Sequence, residues 1–408
     1  MALAYSRASV NRLTRAAATL RHHPWYVVLA GTAVAEVAAL GVWVQRIGPS
    51  YSEDFEAHYA AAKLLATGHR DTMYSLASQL ATLNASGGHG IDTVNHAGWG
   101  PVGVASVLPF VHLPLAAAVA LWTVLQAVAL AGAMVLAVRG VHLDAADRLL
   151  LIGVLLAAPG LTALLVLGQW EGLAAVLLVL VWLESARGRP RRSAMYLVAL
   201  AGALPQLIAG VVVFQVARWG RAQLWRLLAG AAVLAWGSLA LLGRDSMAGW
   251  LGQAADLGRE VRPQDTDGLY GLTSSVLGAG AGRLALTAAA SLAAVLCCWR
   301  LGRRTRGAAV TADTALGVTG LSLLLSPHLF HYGLTVLAPL VGCALLVRGE
   351  SLTRRTVTVL WSALGALSVA SPLLGSVGWQ PAVPLVLVAL ASVAAAAASW
   401  SPHHARQS

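Results

Sequence analysis

Apolar runs close to the length of a membrane-spanning helix recur along most of this chain. A helix needs roughly 20 mainly apolar residues to cross the hydrocarbon core of a bilayer, and fewer where it lies against other helices. The sequence of 408 residues is 58% hydrophobic and 11% charged, whereas about a quarter of the residues in a soluble domain are charged. We therefore predict an all-α polytopic membrane protein.

Arginine clusters between the apolar runs indicate which connections face the cytoplasm. Lys63 is the only lysine, so the formal net charge of +11 comes almost wholly from arginine. The strongest cluster spans 187–192, and the positive-inside rule places such clusters on the cytoplasmic side. Nucleic-acid binding requires a continuous basic face instead. We therefore interpret the arginines as topology signals and predict no nucleic-acid partner.

The alternation of apolar runs and arginine clusters predicts a bundle of about 12 spanning helices with both termini in the cytoplasm. The bundle forms one domain, residues 25–400, between a cytoplasmic arm at 1–24 and a cytoplasmic tail at 401–408. The predicted spans are 25–44, 114–138, 149–167, 171–186, 194–204, 207–216, 227–242, 283–301, 313–326, 333–347, 356–374 and 382–399.

Two polar segments are predicted on the outer side of the membrane, at 45–113 and at 243–271. The first segment has helical apolar spacing at 54–67 and at 74–85. Its apolar run at 102–111 is too short to span the bilayer comfortably. We therefore predict interfacial helices in this first outer loop.

Three carboxylates and a histidine directly follow the first predicted span: Glu53, Asp54, Glu56 and His58. One interpretation is an ordinary hydrated helix start, with Asp54 as the N-terminal cap. The other is a catalytic centre with Asp54 as general base, since base catalysis requires a carboxylate within hydrogen-bond reach of an acceptor hydroxyl. His58 lies one helical turn beyond Asp54. Glu53 and His58 are further candidates for substrate binding.

Other polar groups that interrupt apolar runs are also predicted on the outer side. His328 and His331 are three residues apart, which suits contact with a phosphate or a metal, or indicates only two histidines at the interface. Gln169 and Glu171 can hydrogen-bond a sugar or form a plain turn. Gln206 follows a proline, and membrane proteins tolerate such helix breaks where the backbone lines a cavity.

The second outer segment contains Arg262, which with Arg244 and Arg259 can bind a lipid phosphate by bidentate contact. Nearby acidic side chains can equally pair with these arginines. Two clustered imidazoles are a poor basis for a zinc site, and Glu53 with Asp54 offers fewer oxygens than a hard cation usually takes. We predict no cofactor, with a divalent metal left as an open alternative.

Four short motifs follow one another in order along the chain. They are the pattern of Asp54, Phe55, Tyr59, Ala61, Ala62, Leu64, Leu65 and Gly68, the run Gly100–Phe110, the triplet Leu167–Gln169 and the stretch Leu323–His328. Together they resemble glycosyltransferase family 87. The members of that family are integral membrane enzymes of the GT-C fold, and they include polyprenol-phosphate-mannose-dependent α-mannosyltransferases.

The resemblance implies a GT-C-type bundle and sugar transfer from a lipid-phosphate donor on the outer face. It makes Asp54 the catalytic base and puts His328 or His331 near the donor phosphate. We therefore predict a glycosyltransferase of the bacterial plasma membrane. It is expected to transfer mannose, with inversion, from a polyprenyl-phosphate donor to a hydroxyl of a glycolipid or cell-envelope glycan.

Two alternatives are open at this point. A lipid or sugar transporter or flippase has the same arginine-marked topology, although transporters often place their binding sites near the membrane midplane. An enzyme could also use a different lipid-linked sugar, such as arabinofuranose. The enzyme interpretation requires Asp54 and the connection 326–332 to share one cavity.

Overall fold

The computed structural model describes residues 24–47, 52–88, 100–260, 266–278, 280–347, 352–374 and 382–400. All regular elements within these ranges are helices, which confirms the predicted all-α class. The predicted cytoplasmic arm and tail lie outside the described residues, apart from Pro24.

The helices of the described ranges follow one another with short connections. In chain order they are α1 (Pro24–Ile47), α2 (Glu53–Ala66), α3 (Leu76–Ser86), α4 (Pro101–Val107), α5 (Leu115–Ala137), α6 (Ala145–Leu156), α7 (Leu161–Leu167), α8 (Glu171–Ala186), α9 (Pro190–Ala203), α10 (Ala209–Trp219), α11 (Arg221–Leu242), α12 (Arg244–Glu260), α13 (Leu269–Leu277), α14 (Ala281–Arg304), α15 (Ala312–Leu324), α16 (Ala338–Val347), α17 (Leu352–Leu374) and α18 (Ala382–Trp400). Short 3-10 helices lie at Arg70–Thr72, Leu108–Phe110, Pro205–Leu207 and His331–Leu337.

Four of the described helices are long and apolar enough to cross a membrane, namely α1, α5, α11 and α14. The pair of α6 and α7 is a fifth candidate if it forms one span with a bend of 59°. The predicted total of about 12 spans is not confirmed. Helices α9, α10, α15 and α16 are each shorter than the roughly 20 residues that a lone span needs.

The predicted span at 149–167 is broken into two helices, because the chain bends between α6 and α7. Pro159 disfavours helical backbone at the residue before it, and Gly160 adopts a left-handed conformation with φ +70°. A Cβ atom at Gly160 would lie 2.5 Å from the backbone nitrogen of Tyr332. The break therefore allows the connection before α16 to approach the backbone closely.

Three of the arginine-rich connections that are predicted to be cytoplasmic, at 187–192, 218–226 and 300–306, meet at one end of the bundle. Gln223, near the start of α11, donates from Nε2 to the carbonyl oxygen of Pro190 at the start of α9 (3.2 Å). Arg306, after α14, donates from Nε to the carbonyl oxygen of Ala217 in α10 (2.8 Å). The arginine-rich connections are thus neighbours in the structure.

The two predicted outer segments contact each other where α11 ends and α12 begins. Ser246 of α12 donates to the carbonyl oxygen of Arg70. A Cβ atom at Gly249 would lie 3.5 Å from the Cβ atom of Tyr74. Helix α12 therefore packs on the connection between α2 and α3.

The helical predictions for the first outer segment are confirmed. The predicted helices at 54–67 and 74–85 correspond to α2 and α3. The short apolar run at 102–111 forms α4 and the 3-10 helix after it.

Helix α15 is buried along most of its length and leads directly into the connection 325–330. A Cβ atom at Gly320 would lie 3.0 Å from the Cβ atom of Ala391 in α18. Small residues let membrane helices approach each other closely. This packing holds the end of α15, and with it the connection, in a fixed position.

Candidate functional site

An aromatic cluster holds α2 against α5 and the segment after α4. The Phe55 ring stacks on Trp122 with centroids 5.3 Å apart, and Phe110 meets Trp122 edge-on at 5.7 Å. The Tyr59 hydroxyl donates to the carbonyl oxygen of Leu113 (2.9 Å). Such aromatic pairs each contribute roughly 0.5–1.5 kcal/mol beyond area burial. The first turn of α2, which contains the predicted carboxylates, is therefore firmly placed.

Asp54 is the second residue of α2 and does not cap it. The cap position is Ser52, whose side chain makes no capping hydrogen bond, so the cap interpretation is wrong. The partly buried Asp54 carboxylate accepts a hydrogen bond at Oδ2 from Nε2 of Gln169. The side chain of Glu53 lies outside the described part of the chain.

The turn between α7 and α8 brings Gln169 to α2. Gly168 follows α7 with φ +71°, a left-handed conformation that favours glycine. A Cβ atom there would lie 2.6 Å from the Cβ atom of Phe55 and would also collide with Oγ of Ser52. The Trp122 indole donates to the Gly168 carbonyl oxygen (2.7 Å). Glycine is therefore required where this turn touches α2.

Glu171 adds a second carboxylate at the same turn. It is the first residue of α8 and is 2% exposed. Its Oε2 atom has no hydrogen-bond partner among the described residues, although buried polar atoms are normally paired. The neighbouring Trp170 donates from Nε1 to Oγ of Ser106 (3.0 Å), which joins the turn to α4. A ligand hydroxyl would supply the partner that Oε2 lacks.

Tyr332 lies within electrostatic range of three carboxylates. Burial raises the pKa of its hydroxyl well above the ordinary value, and the negative charges of Asp54, Glu171 and Asp267 raise it further. The connection that contains Tyr332 therefore lies near Asp54, although more than two hundred residues separate them. No motif in the sequence marks Tyr332 or Asp267 as a site residue.

Burial lowers the pKa of both candidate histidines of this connection. The pKa of His331 falls to about 4, and the pKa of His328 falls below its ordinary value. The Nδ1 atom of His328 is buried and has no partner among the described residues. The His331 ring meets Tyr332 with centroids 5.9 Å apart. A neutral imidazole can donate one hydrogen bond to an anion without adding positive charge.

Asp267 attaches the segment before α13 to the same connection. Its backbone N–H donates to the carbonyl oxygen of Leu329 (2.6 Å). Burial raises the pKa of the Asp267 carboxyl to about 7. A cavity of about 210 Å³ opens next to it, lined by Leu269, Tyr270, Thr287, Ser291 and residues 324–327.

His58 supports the first turn of α2 from its buried side. The residue is 3% exposed, and its Nδ1 atom donates to the carbonyl oxygen of Asp54. Burial lowers the pKa of His58 to about 3. His58 therefore contacts the backbone that positions Asp54 and is itself hidden from the surface.

The remaining predicted site residues lie further from this cluster or outside the described residues. Gln206 lies in a 3-10 turn between α9 and α10, and Ser322 of α15 donates to the carbonyl oxygen of Leu207 in that turn (2.7 Å). Arg262 is not among the described residues. In the described ranges no group of three or more His, Cys, Asp or Glu side chains is arranged to hold a metal ion. The prediction of no cofactor stays a prediction.

These features define a helical membrane protein. Its candidate carboxylate, amide and imidazole groups lie at the first turn of α2, at the turn between α7 and α8 and in the connection after α15. The family model of glycosyltransferase family 87 matches residues 99–327 of the sequence, which is more than half of the chain. The chain belongs to glycosyltransferase family 87 and is a glycosyltransferase, as predicted. No curated protein and no solved structure gives a significant match.

The matched range covers only part of the candidate site. It includes Gln169, Glu171 and Gln206, whereas Asp54 precedes it and the predicted phosphate-binding histidines follow it. The roles of Asp54 and of the histidines therefore stay proposals, as does the GT-C-type arrangement of the bundle.

Proposed function

We propose that this family 87 enzyme transfers mannose from a polyprenyl-phosphate donor to a hydroxyl of a glycolipid or cell-envelope glycan. The reaction is placed on the extracytoplasmic face of a bacterial plasma membrane. Family membership supplies the reaction class. The observation that carries the proposal is the hydrogen bond by which Gln169 holds the Asp54 carboxylate close to the connection of Tyr332.

Asp54 is the general base in this mechanism. Its carboxylate takes the proton of the acceptor hydroxyl while the hydroxyl oxygen attacks the anomeric carbon of the donor sugar. The bond from that carbon to the phosphate oxygen breaks, and its electron pair leaves with the phosphate. A single displacement inverts the configuration, so a β-linked donor gives an α-linked product.

His328, His331 and Arg262 are assigned to the donor phosphate. Stabilising the charge that develops on a leaving group is usually the largest electrostatic contribution to catalysis. Desolvation lowers the pKa of both histidines in the free protein and so favours their neutral form. A bound anion nearby favours the protonated form of an imidazole. The donor itself therefore promotes the positive charge that stabilises the departing phosphate.

Gln169 and Glu171 are assigned to the sugar, and contact of Glu53 and Gln206 with the substrate stays a prediction from the sequence. The Oε2 atom of Glu171 has no partner among the described residues. A sugar hydroxyl is a suitable donor for it, because buried polar atoms are normally hydrogen-bonded. His58 contributes through the backbone of α2, since its ring is buried.

Purified full-length protein in liposomes, supplied with polyprenyl-phosphate mannose and membrane glycolipids, tests the proposal. We expect Asp54→Asn to slow transfer by roughly 10²–10⁴-fold, the usual contribution of a positioned base. Asp71→Asn is the matched control, because Asp71 is exposed in the same outer segment, and it should transfer at the parental rate. Undiminished transfer by Asp54→Asn would rule out Asp54 as the base.

Replacing the donor in the same assay tests the identity of the sugar independently of the type of reaction. If the protein transfers only another lipid-linked sugar, such as arabinofuranose, mannose is the wrong sugar, but the role of Asp54 as the base still stands. Passage of the lipid-linked sugar across the membrane without any product would favour the transporter alternative.

A further inference from the structure

A groove lies between α9 and α11 near the arginine-rich end of the bundle. Its volume is about 580 Å³, within the roughly 300–1,000 Å³ of typical small-molecule sites. Among the described residues, Arg191 and Arg226 are the only charged residues that line it, and the rest of the lining is aliphatic, Met or Gly from 194–199 and 229–234. The groove thus combines a long apolar wall with two positive charges.

The apolar part of the groove opens to the hydrocarbon of the bilayer. Met195 and Val233 line it and are 57% and 73% exposed. Helix α11 is long and apolar enough to span the membrane, so these exposed side chains face lipid. A Cβ atom at Gly230 would lie 2.7 Å from Cγ2 of Val198, and this close contact between the two helices forms the floor.

A buried glutamine organises the charged end. Gln223 donates from Nε2 to the carbonyl oxygen of Pro190 (3.2 Å) and accepts at Oε1 from Nη1 of Arg226 (3.2 Å). Arg191 follows Pro190 directly in α9. In the described part of the chain, neither Arg191 nor Arg226 forms an ion pair with a carboxylate. Both charges are therefore available to an anion.

The charged residues indicate the depth of this end in the membrane. Arg191 and Arg226 line it, and charged side chains of membrane helices favour the membrane–water interface over the hydrocarbon. From Arg226 to Leu234 the helix rises about 12 Å. The groove therefore extends from the headgroup level into the acyl-chain region.

We propose that this groove binds an anionic phospholipid from the leaflet next to the arginine-rich connections. The lipid phosphate contacts Arg191 and Arg226, and one acyl chain lies along α9 and α11. Charge complementarity favours this occupant, because guanidinium groups match phosphate oxygens by bidentate contact. An apolar protein helix in the groove would leave both arginines without an anion. The proposal does not depend on the sugar-transfer reaction.

Native mass spectrometry tests whether the groove binds an anionic phospholipid. The full-length protein is titrated with phosphatidylglycerol or with phosphatidylcholine that has the same acyl chains. We expect the parent to retain phosphatidylglycerol at lower concentration than phosphatidylcholine. The variant Arg191→Gln/Arg226→Gln should bind phosphatidylglycerol roughly 25-fold more weakly, the loss expected for two arginines near an anionic surface. The control Arg303→Gln/Arg304→Gln removes the same charge from α14, outside the groove, and should bind like the parent.

A second variant tests the apolar wall without changing the charge. Ala229→Trp fills the groove from an exposed position and should also weaken phosphatidylglycerol binding. Equal retention of the two lipids by the parent, parental binding by the double arginine variant, or an equal loss in the control would overturn the proposal. The proposal would also be overturned if the parent forms a dimer and Ala229→Trp dissociates it, because the groove would then hold a second copy of the chain.

Discussion

Gln169 donates a hydrogen bond to the carboxylate of Asp54, although 115 residues separate the two in the sequence. The bond joins the first turn of α2 to the turn between α7 and α8. Gly168 makes that turn possible, and Glu171 follows it three residues later. The position of the proposed base therefore depends on a contact between two segments that are far apart in the sequence.

Replacing Gln169 by Glu should slow transfer roughly 10–100-fold, because a hydrogen bond to a charged group contributes about 1.5–3 kcal/mol. A second carboxylate beside Asp54 also favours protonation, so the acid limb of the pH–rate profile should move to higher pH. Steady-state transfer measured across pH checks both effects. Gln45→Glu, at an exposed position near the end of α1, should change neither. Slower transfer with an unmoved acid limb would show that Gln169 supports the fold instead of the base.

Gly168→Ala should destabilise the protein more than Gly188→Ala. Both glycines have a left-handed backbone, with φ +71° and +69°, and alanine in that conformation costs roughly 1–2 kcal/mol. A Cβ atom at Gly188 meets nothing within 4 Å, whereas at Gly168 it would collide with Ser52 and Phe55. Thermal unfolding in detergent and transfer assays measure the difference. Equal effects of the two substitutions would contradict the close packing of this turn on α2.

Acid should destabilise the protein through His58. The folded state holds this imidazole at a pKa of about 3, whereas an exposed histidine has a pKa near 6.5. The unfolded chain therefore binds a proton that the folded state does not bind, and stability is lost as the pH falls below about 6.5. By pH 5 the expected loss is about 2 kcal/mol.

Thermal inactivation between pH 5 and pH 7.5 checks the contribution of His58. His58→Gln should be less sensitive to acid than the parent across this range. His142→Asn is the control, because His142 is exposed and should leave the acid sensitivity unchanged. An acid sensitivity in His58→Gln equal to that of the parent would assign the effect to other groups.

Glu36 is a buried carboxylate within α1 that should stabilise the break between α6 and α7. It is 2% exposed, and Thr162 donates from Oγ1 to its Oε2 atom (2.8 Å). Glu36→Leu would leave the backbone N–H of Thr162, which donates to Oε2 (3.4 Å), without its acceptor, at a cost of about 1–3 kcal/mol. The Thr162 hydroxyl would keep the carbonyl oxygen of Glu36 as an acceptor (3.0 Å). Glu36→Gln retains an acceptor and should lose less.

Thermal inactivation in detergent measures these differences at Glu36. Val34→Leu changes an exposed position of the same helix and should have little effect. Because the break touches the backbone of Tyr332, Glu36→Leu should also slow transfer. A leucine variant as stable as the glutamine variant would show that the contact with Thr162 contributes little.

Local patterns predicted most of the individual helices. The predicted spans at 25–44 and 114–138 correspond closely to α1 and α5, because a sustained apolar run is enough to specify a membrane helix. The break at Pro159 and Gly160 was not predicted, since membrane helices often contain proline and glycine without ending there. The break is explained by the backbone of Tyr332 lying against Gly160, and that contact joins distant segments.

The candidate site was only partly visible in the sequence. Asp54 stood out because carboxylates cluster beside a span in a chain with few charges. Glu36 is isolated within an apolar run, whereas Tyr332 directly follows His331 and Asp267 lies in the polar segment 243–271. Each of these patterns is also that of an ordinary buried or interfacial residue. Their proximity to other polar groups appears only when the helices are packed.

By itself the sequence determined that this chain is helical, that it lies in a membrane and that its arginine clusters and Asp54 lie in different connections. These properties follow from the length of apolar runs and from the charges between them, which act locally. Only the tertiary structure decided that Asp54 meets Gln169 and lies near Tyr332. Those contacts require backbones to approach closely at Gly168 and Gly160, and close approach depends on how whole helices pack.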